Sequence, residues 1–189
     1  MFGSVCGLLL ITPLAPFIAL AIKLDSRGPI IVKIKRVSRG QTFNLYKFRT
    51  MVADAEKLKS LLQHLNERKD GPFFKIRSDP RITRTGRWLR RFRFDEFPQL
   101  INVLKNDMAL VGPRPYSPEE IAAYPEEYEH LRLAKGGVTG LSQVNGSSTL
   151  SFEETLALDD FYVKNQSLIL DLKIIGKTLL IIFFDHNAV

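Results

Sequence analysis

Apolar residues fill the start of the chain, and no charged side chain occurs between Phe2 and Ile22. A run of roughly 20 apolar residues is long enough to span a bilayer core as a helix. Thr12-Pro13 and Pro16 fall in its middle, however, where proline removes a helix hydrogen bond and bends the axis. Three readings are open: a spanning helix, a re-entrant helix that enters and leaves by one face, and a signal peptide. The signal peptide lacks a basic residue ahead of the apolar run. Lys23, Arg27, Lys33, Lys35 and Arg36 follow at once, which by the positive-inside tendency places the rest of the chain on the cytoplasmic side.

Beyond this segment the pattern changes to short alternating runs. Pro29 to Val37 and Thr42 to Phe48 are β-rich and flank Ser38-Arg39-Gly40-Gln41, which predicts a hairpin with a four-residue loop whose second strand brings Lys47 and Arg49 to one face. Ala55, Leu58, Leu61, Leu62 and Leu65 recur at helical spacing within a predicted helix from Ala53 to Arg68. From Thr83 to Phe92 arginines interleave with Trp88, Leu89 and Phe92, giving a helix with a basic face and an aromatic one. Such a helix lies flat on a membrane or turns its apolar face to the core, and the pattern does not choose between them. Ser117-Pro118-Glu119-Glu120 is a capping box with proline in the first turn, opening a helix that Pro125 interrupts. Leu168 to Phe184 is apolar, but Asp171, Lys173 and Lys177 leave too short an uncharged run to span, so it reads as a core or interfacial helix. With no repeat or flexible linker, the elements add up to a mainly helical single α+β domain with a small β-hairpin.

The formal charge of +7 is concentrated between Lys23 and Lys135. It suits anionic lipid, nucleic acid or a phosphorylated substrate. A single cysteine, Cys6, excludes an intramolecular disulfide, and His64, His130 and His186 are too scattered for a zinc motif.

The densest chemistry is in Phe94-Asp95-Glu96-Phe97-Pro98-Gln99 and in Val111-Gly112-Pro113-Arg114-Pro115. Asp95 is placed to cap a helix that has Pro98 in its first turn and continues through Gln99 to Lys105. An acid pair at a helix start is most often a cap and a complement to the helix dipole. What favours a site is the surroundings: Arg81, Arg84, Arg87, Arg90, Arg91 and Arg93 upstream, and Arg114 fixed between two prolines downstream. Two carboxylates among fixed cations suit a polyanion and a shared divalent metal.

The chain resembles the bacterial sugar transferases, monotopic phosphoglycosyl transferases that load a sugar phosphate onto polyprenol phosphate. The resemblance is carried, in order, by Thr12-Pro13, Leu24 to Pro29, Tyr46-Lys47-Phe48-Arg49-Thr50-Met51, Asp79 to Thr83, the Asp95-Glu96 segment, Val111 to Pro115, Val138-Thr139-Gly140 with Gln143 to Gly146, and Asp171 to Ile174. It implies a re-entrant membrane helix over residues 1–22, in which Thr12 stands for a serine that satisfies a freed carbonyl, followed by a catalytic domain over 23–189 with membrane-surface amphipathic helices. It implies residence at the cytoplasmic face of the bacterial inner membrane. A UDP-sugar and polyprenol (undecaprenyl) phosphate are the implied substrates, with Mg2+ as cofactor, UMP as product and membrane lipid as surroundings; a homodimer is admitted and nucleic acid is not a partner. The resemblance makes Asp95 the nucleophile and Glu96 a catalytic, metal-associated acid, and makes Lys47, Arg90, Arg114 and Asp171 residues of the substrate site. For Asp171 a plain cap or ion-pair role stands beside it.

Two departures from the family pattern stand out. Gly136-Gly137 replaces Pro-Gly ahead of Val138, which predicts a looser turn, and Ser147 stands where an arginine is usual. The rival readings are a basic nucleic-acid-binding protein and a non-catalytic scaffold on the membrane surface.

Overall fold

A computed structural model describes residues 2–184 of the chain; His186 lies outside them. The proline-broken apolar run forms two helices, α1 (Phe2–Ile11) and α2 (Ala15–Asp25). At the break the Thr12 hydroxyl donates to the Leu8 carbonyl at 2.7 Å, which satisfies an acceptor beside the prolines. Both halves then lie on the same body. Gly3 and Gly7, one turn apart, let α1 approach closely enough that an added Cβ would meet Leu110 and Leu100 at 2.8 Å. Ile18 and Ile22 of α2 pack into a buried cluster with Phe48 and Leu89. The opposite side keeps Leu9, Leu14, Phe17, Leu20 and Leu24 exposed. Among the described residues no helix is long and apolar enough to cross a membrane.

Strands β1 (Ile31–Ser38) and β2 (Gln41–Phe48) form an antiparallel hairpin with Ser38 opposite Gln41. The loop is therefore two residues, shorter than the four expected. Arg39 and Gly40 have φ of 53° and 70°, the left-handed pair that matches the twist of the strands. The helix expected over Ala53 to Arg68 stops early, as α3 (Ala55–Leu61) followed by a single 3-10 turn at Gln63–Leu65. Its apolar positions are not packed tightly enough to hold a longer helix, since no residue of α3 is buried.

Helix α4 (Arg84–Arg91) is capped by Thr83, whose side chain accepts from Gly86 N–H. A 3-10 turn at Phe94–Glu96 leads to α5 (Gln99–Leu104). The structure corrects the expected cap: Asp95 sits inside the turn and makes no cap hydrogen bond, while Pro98 occupies the N-cap position of α5. Two short parallel strands, β3 (Ala109–Val111) and β4 (Gly137–Thr139), pair across a connection containing α6 (Pro118–Ala122) and a 3-10 stretch at Glu126–Leu133. Ser117 and Glu120 complete the capping box predicted for α6.

The turn at Gly136 is not loose. Its N–H donates to Ser38 Oγ at 3.1 Å and its carbonyl accepts from Ala109 N–H at 2.8 Å, so the glycine offers a donor that proline would lack. Helices α7 (Leu141–Val144), α8 (Phe152–Lys164) and α9 (Leu168–Phe184) close the fold, with Val144, Tyr162 and Ile174 packed on Val111 of β3. α9 keeps Leu168, Ile169, Leu172, Leu179 and Leu180 exposed.

Candidate active site

Lys47 reaches the acid pair because the hairpin and α5 are bolted together. Asn102, fully buried in α5, accepts from Tyr46 N–H at 3.0 Å and donates to the Asn44 carbonyl at 2.8 Å and to Asp107 at 3.0 Å. One amide thus satisfies two backbone groups of β2 on either side of Leu45 and fixes the strand against the helix. Lys47, one residue beyond Tyr46, then points its ammonium at the turn carrying both acids. Its Nζ donates to Glu96 Oε1 at 2.7 Å and stands 3.7 Å from Asp95 Oδ2.

The turn itself is forced into place. Arg93, directly before it, has φ 54°, a left-handed conformation that costs a non-glycine residue about 1 kcal/mol or more. The rings of Trp88, Phe92, Phe94 and Phe97 hold it, with adjacent centroids 5.3 to 5.9 Å apart.

The two carboxyl groups experience opposite environments. Burial, which leaves Asp95 7% exposed, pushes its carboxyl above the usual range; Lys47 and Arg90 oppose the rise and Glu96 adds to it. For Glu96 burial also favours the neutral acid, but Lys47, Arg114 and Arg93 outweigh it and hold the carboxyl at about 2. Arg114 is the exposed residue of an otherwise buried turn after β3, where Gly112 is pressed so closely to the segment leading into β4 that a Cβ would meet the Lys135 carbonyl at 2.5 Å. Arg90, on α4, makes no ion pair with either acid, and its Nε donates to Thr50 Oγ1 at 3.0 Å.

Lys47, Arg90, Asp95, Glu96 and Arg114 are therefore brought into one electrostatic neighbourhood. Asp171 has no direct contact with the pair; it accepts from Tyr162 O–H at 2.8 Å, and that hydroxyl stands 3.2 Å from the Val111 carbonyl at the start of the arginine turn. Arg81 is also absent from the pair, because it is buried against Asp79 at 2.6 Å. Arg49, expected on the Lys47 face, turns away to the exit of α2. Among the described residues no group of three or more His, Cys, Asp or Glu side chains gathers as a metal site. Two adjacent carboxylates still fit Mg2+, which takes one or two carboxylates and completes its shell with water and substrate phosphate.

Two site-building residues escape inspection of the sequence. Asn102 gives no pattern signal at all. Asp159 does: it stands three residues from Leu156 and three from Tyr162, on the buried face of α8. Its Oδ1 accepts from Ser142 at 2.7 Å, its Oδ2 is buried without a partner, and burial raises its carboxyl to about 7 against the pull of Ser142 and Arg114.

The chain is similar over nearly its whole length to known proteins. The chain is 39% identical over 197 residues to an undecaprenyl-phosphate galactose phosphotransferase of Salmonella typhimurium, covering 99% of this chain and 40% of that protein. It is 41% identical over 198 residues to an undecaprenyl-phosphate glucose phosphotransferase of Komagataeibacter xylinus, covering 98% and 35%. An exopolysaccharide production protein, ExoY, of Sinorhizobium fredii is 33% identical over 183 residues, covering 93% and 80%. The chain thus spans 35% to 40% of the length of the first two and most of the third. The family model described as bacterial sugar transferase matches residues 1–185, and the chain belongs to that family.

Proposed function

We propose that this chain transfers a sugar 1-phosphate from a UDP-sugar to undecaprenyl phosphate at the cytoplasmic face of the bacterial inner membrane, beginning assembly of a glycan such as an exopolysaccharide. The observation that carries the reading is the single lysine shared by two adjacent acids, one held ionised and one sheltered.

In the first half-reaction a carboxylate oxygen of Asp95 attacks the β-phosphorus of the donor. A carboxylate–phosphorus bond forms, the bond from that phosphorus to the bridging oxygen breaks, and UMP departs with the electron pair. The resulting aspartyl phosphosugar is a mixed anhydride. A phosphate oxygen of undecaprenyl phosphate then attacks the same phosphorus and restores the Asp95 carboxylate. Lys47 neutralises the acids between turnovers and donates to phosphate oxygen when the donor arrives, while Arg90 and Arg114 hold the diphosphate from α4 and from the turn after β3. Glu96, ionised throughout, with Asp95 beside it, would hold Mg2+, which supplies further charge neutralisation to the diphosphate when bound. Asp171 acts at one remove, by holding the ring of Tyr162, which packs with Val111 at the start of the arginine turn.

The N-terminal pair α1 and α2 serves as the membrane anchor and doubles back rather than crossing. Both halves packing on the same domain, with Phe17 70% exposed and Leu24 79% exposed on the outer side, support that path. The nucleic-acid reading is not favoured: Arg84, Arg87 and Arg91 are exposed, but Arg81 closes on Asp79 and Arg90 on Thr50, and the family match over residues 1–185 is to sugar transferases.

Asp95→Asn tests the chemistry. An amide of nearly the same shape is a poor nucleophile, so the variant should remain folded, release no UMP from a panel of UDP-hexoses with Mg2+, and carry no sugar-phosphate adduct in the intact-protein mass. UMP release at the wild-type rate would place the nucleophile elsewhere.

A further inference from the structure

The dipeptide Arg49-Thr50 leaves β2 and joins three elements that otherwise have separate tasks. The Arg49 guanidinium, only 3% exposed, is spent entirely on the segment where α2 ends. Its Nε donates to the Pro29 carbonyl at 2.6 Å, Nη1 to Ser26 Oγ and the Arg27 carbonyl at 2.7 Å each, and Nη2 to the carbonyls of Ser26 at 2.8 Å and Ile22 at 3.4 Å. A buried cation saturated by backbone carbonyls at a helix C-terminus is a fixed anchor and not a ligand in waiting.

Thr50 faces the other way. Its carbonyl accepts from Thr83 N–H at 3.0 Å at the start of α4, and the backbone of α4 is pressed against it so that a Cβ on Gly86 would stand 2.0 Å from the Thr50 oxygen. The last residue of α2 closes the ring: Asp25 Oδ2 accepts from Thr85 N–H at 2.7 Å. At the far end of α4, Thr50 Oγ1 receives the Arg90 Nε at 3.0 Å. Holding a guanidinium by Nε leaves the fork of two terminal nitrogens directed away from the tether, and among the described residues neither Arg90 terminal nitrogen has a hydrogen-bond partner.

We propose that Thr50 is a positioning residue that aims Arg90 at the phosphate site, with Arg49 fixing Thr50 to the end of the apolar hairpin, so that the seat of α2 sets the aim of Arg90. The inference rests on the reading of Arg90 as a donor-binding residue given above. Arg90 does not need Thr50 for its charge. It needs Thr50 for direction, and a rotated fork loses the paired geometry that suits phosphate oxygens.

The test compares Thr50→Val, which keeps the branched shape and removes the acceptor, with Thr50→Ser, which keeps the acceptor. Arg90→Lys is run beside them, all as the whole chain in detergent or nanodiscs with UDP-sugar, undecaprenyl phosphate and Mg2+. Loss of a hydrogen bond to a charged group predicts a fall of about tenfold or more in kcat/KM for Thr50→Val, with recovery in Thr50→Ser and a melting temperature close to the parent's. Wild-type kinetics in Thr50→Val overturn the positioning role, as does a loss that Thr50→Ser shares or that follows a large drop in melting temperature. If Arg90→Lys is as active as the parent, the reading of Arg90 itself has failed. A defect in Arg90→Lys with none in Thr50→Val fails this inference alone.

Discussion

Asp95 and Glu96 are neighbours in sequence that share one lysine and are driven in opposite directions, because Glu96 faces Lys47, Arg114 and Arg93 while burial dominates at Asp95. Glu96 at about 2 is ionised at every pH at which the protein would be assayed. The acid limb of a rate profile should therefore report Asp95, titrating as part of the coupled pair, and should lie above the usual carboxylate value of 3.8. Rate should fall as pH is lowered through that limb, since the proposed nucleophile is the carboxylate. Lys47→Gln removes the main group opposing the rise, so the limb should move to higher pH, together with a loss of rate at its plateau. A limb that stays at its parental position in single-turnover UMP release would show that Lys47 does not govern Asp95.

Elements bring these side chains together through contacts of uneven visibility. The proline break, the hairpin, the Ser117 cap and α9 are all legible because each rests on local rules: proline geometry, β-rich runs around a turn, a capping box and a long apolar run interrupted by charges. What the sequence hides is tertiary. Nothing around Asn102 announces that its amide will be spent on Tyr46 and Asn44, more than fifty residues earlier. Nothing around Arg93 announces a left-handed backbone, because arginine has no preference for it; the ring cluster on both sides of it holds the turn. Local pattern also misassigned Asp95 as a cap and put Arg49 beside Lys47, since both inferences assume that an element continues regular to its end. Asn102→Ala should be expensive, as it removes the partner of two part-buried backbone groups of β2: a loss of about 1 to 3 kcal/mol in denaturant unfolding, with the rate falling too because Lys47 loses its support. A variant within 0.5 kcal/mol of the parent, on the scale of ordinary surface changes, would show that α5 and β2 do not depend on this amide.

For the molecule as a whole, buried acids give stability a pH dependence with two opposing slopes. Asp159 has its carboxyl raised from 3.8 to about 7, so across that window the native chain holds more protons than the unfolded one and stability falls as pH rises, levelling off above it. Glu96, lowered from 4.5 to about 2, works the other way and loses its contribution as pH drops through that range. Asp159→Asn keeps the oxygen facing Ser142 and cannot ionise, so melting temperatures between pH 5 and 8 should vary less than the parent's; an unchanged slope would mean that Asp159 is not the group responsible. The path of the apolar hairpin is open to a labelling test at Val5, which is exposed, whereas Ser4 is fully buried. In a Cys6→Ser background, Val5→Cys should resist a membrane-impermeant thiol reagent in intact cells, and should become reactive when Pro13→Leu and Pro16→Leu restore a continuous, spanning helix. Efficient labelling with the prolines in place would mean that the segment crosses. Trp88 adds an optical consequence. It is the chain's one tryptophan, half-exposed on α4 two residues before Arg90, with its ring 5.4 Å from that of Phe94, next to Asp95. Its emission therefore belongs to a single place, on the solvent side of the acid turn: a blue shift on adding vesicles would report lipid contact at α4, and a separate change on adding donor would report occupancy of the proposed site, both in unlabelled protein.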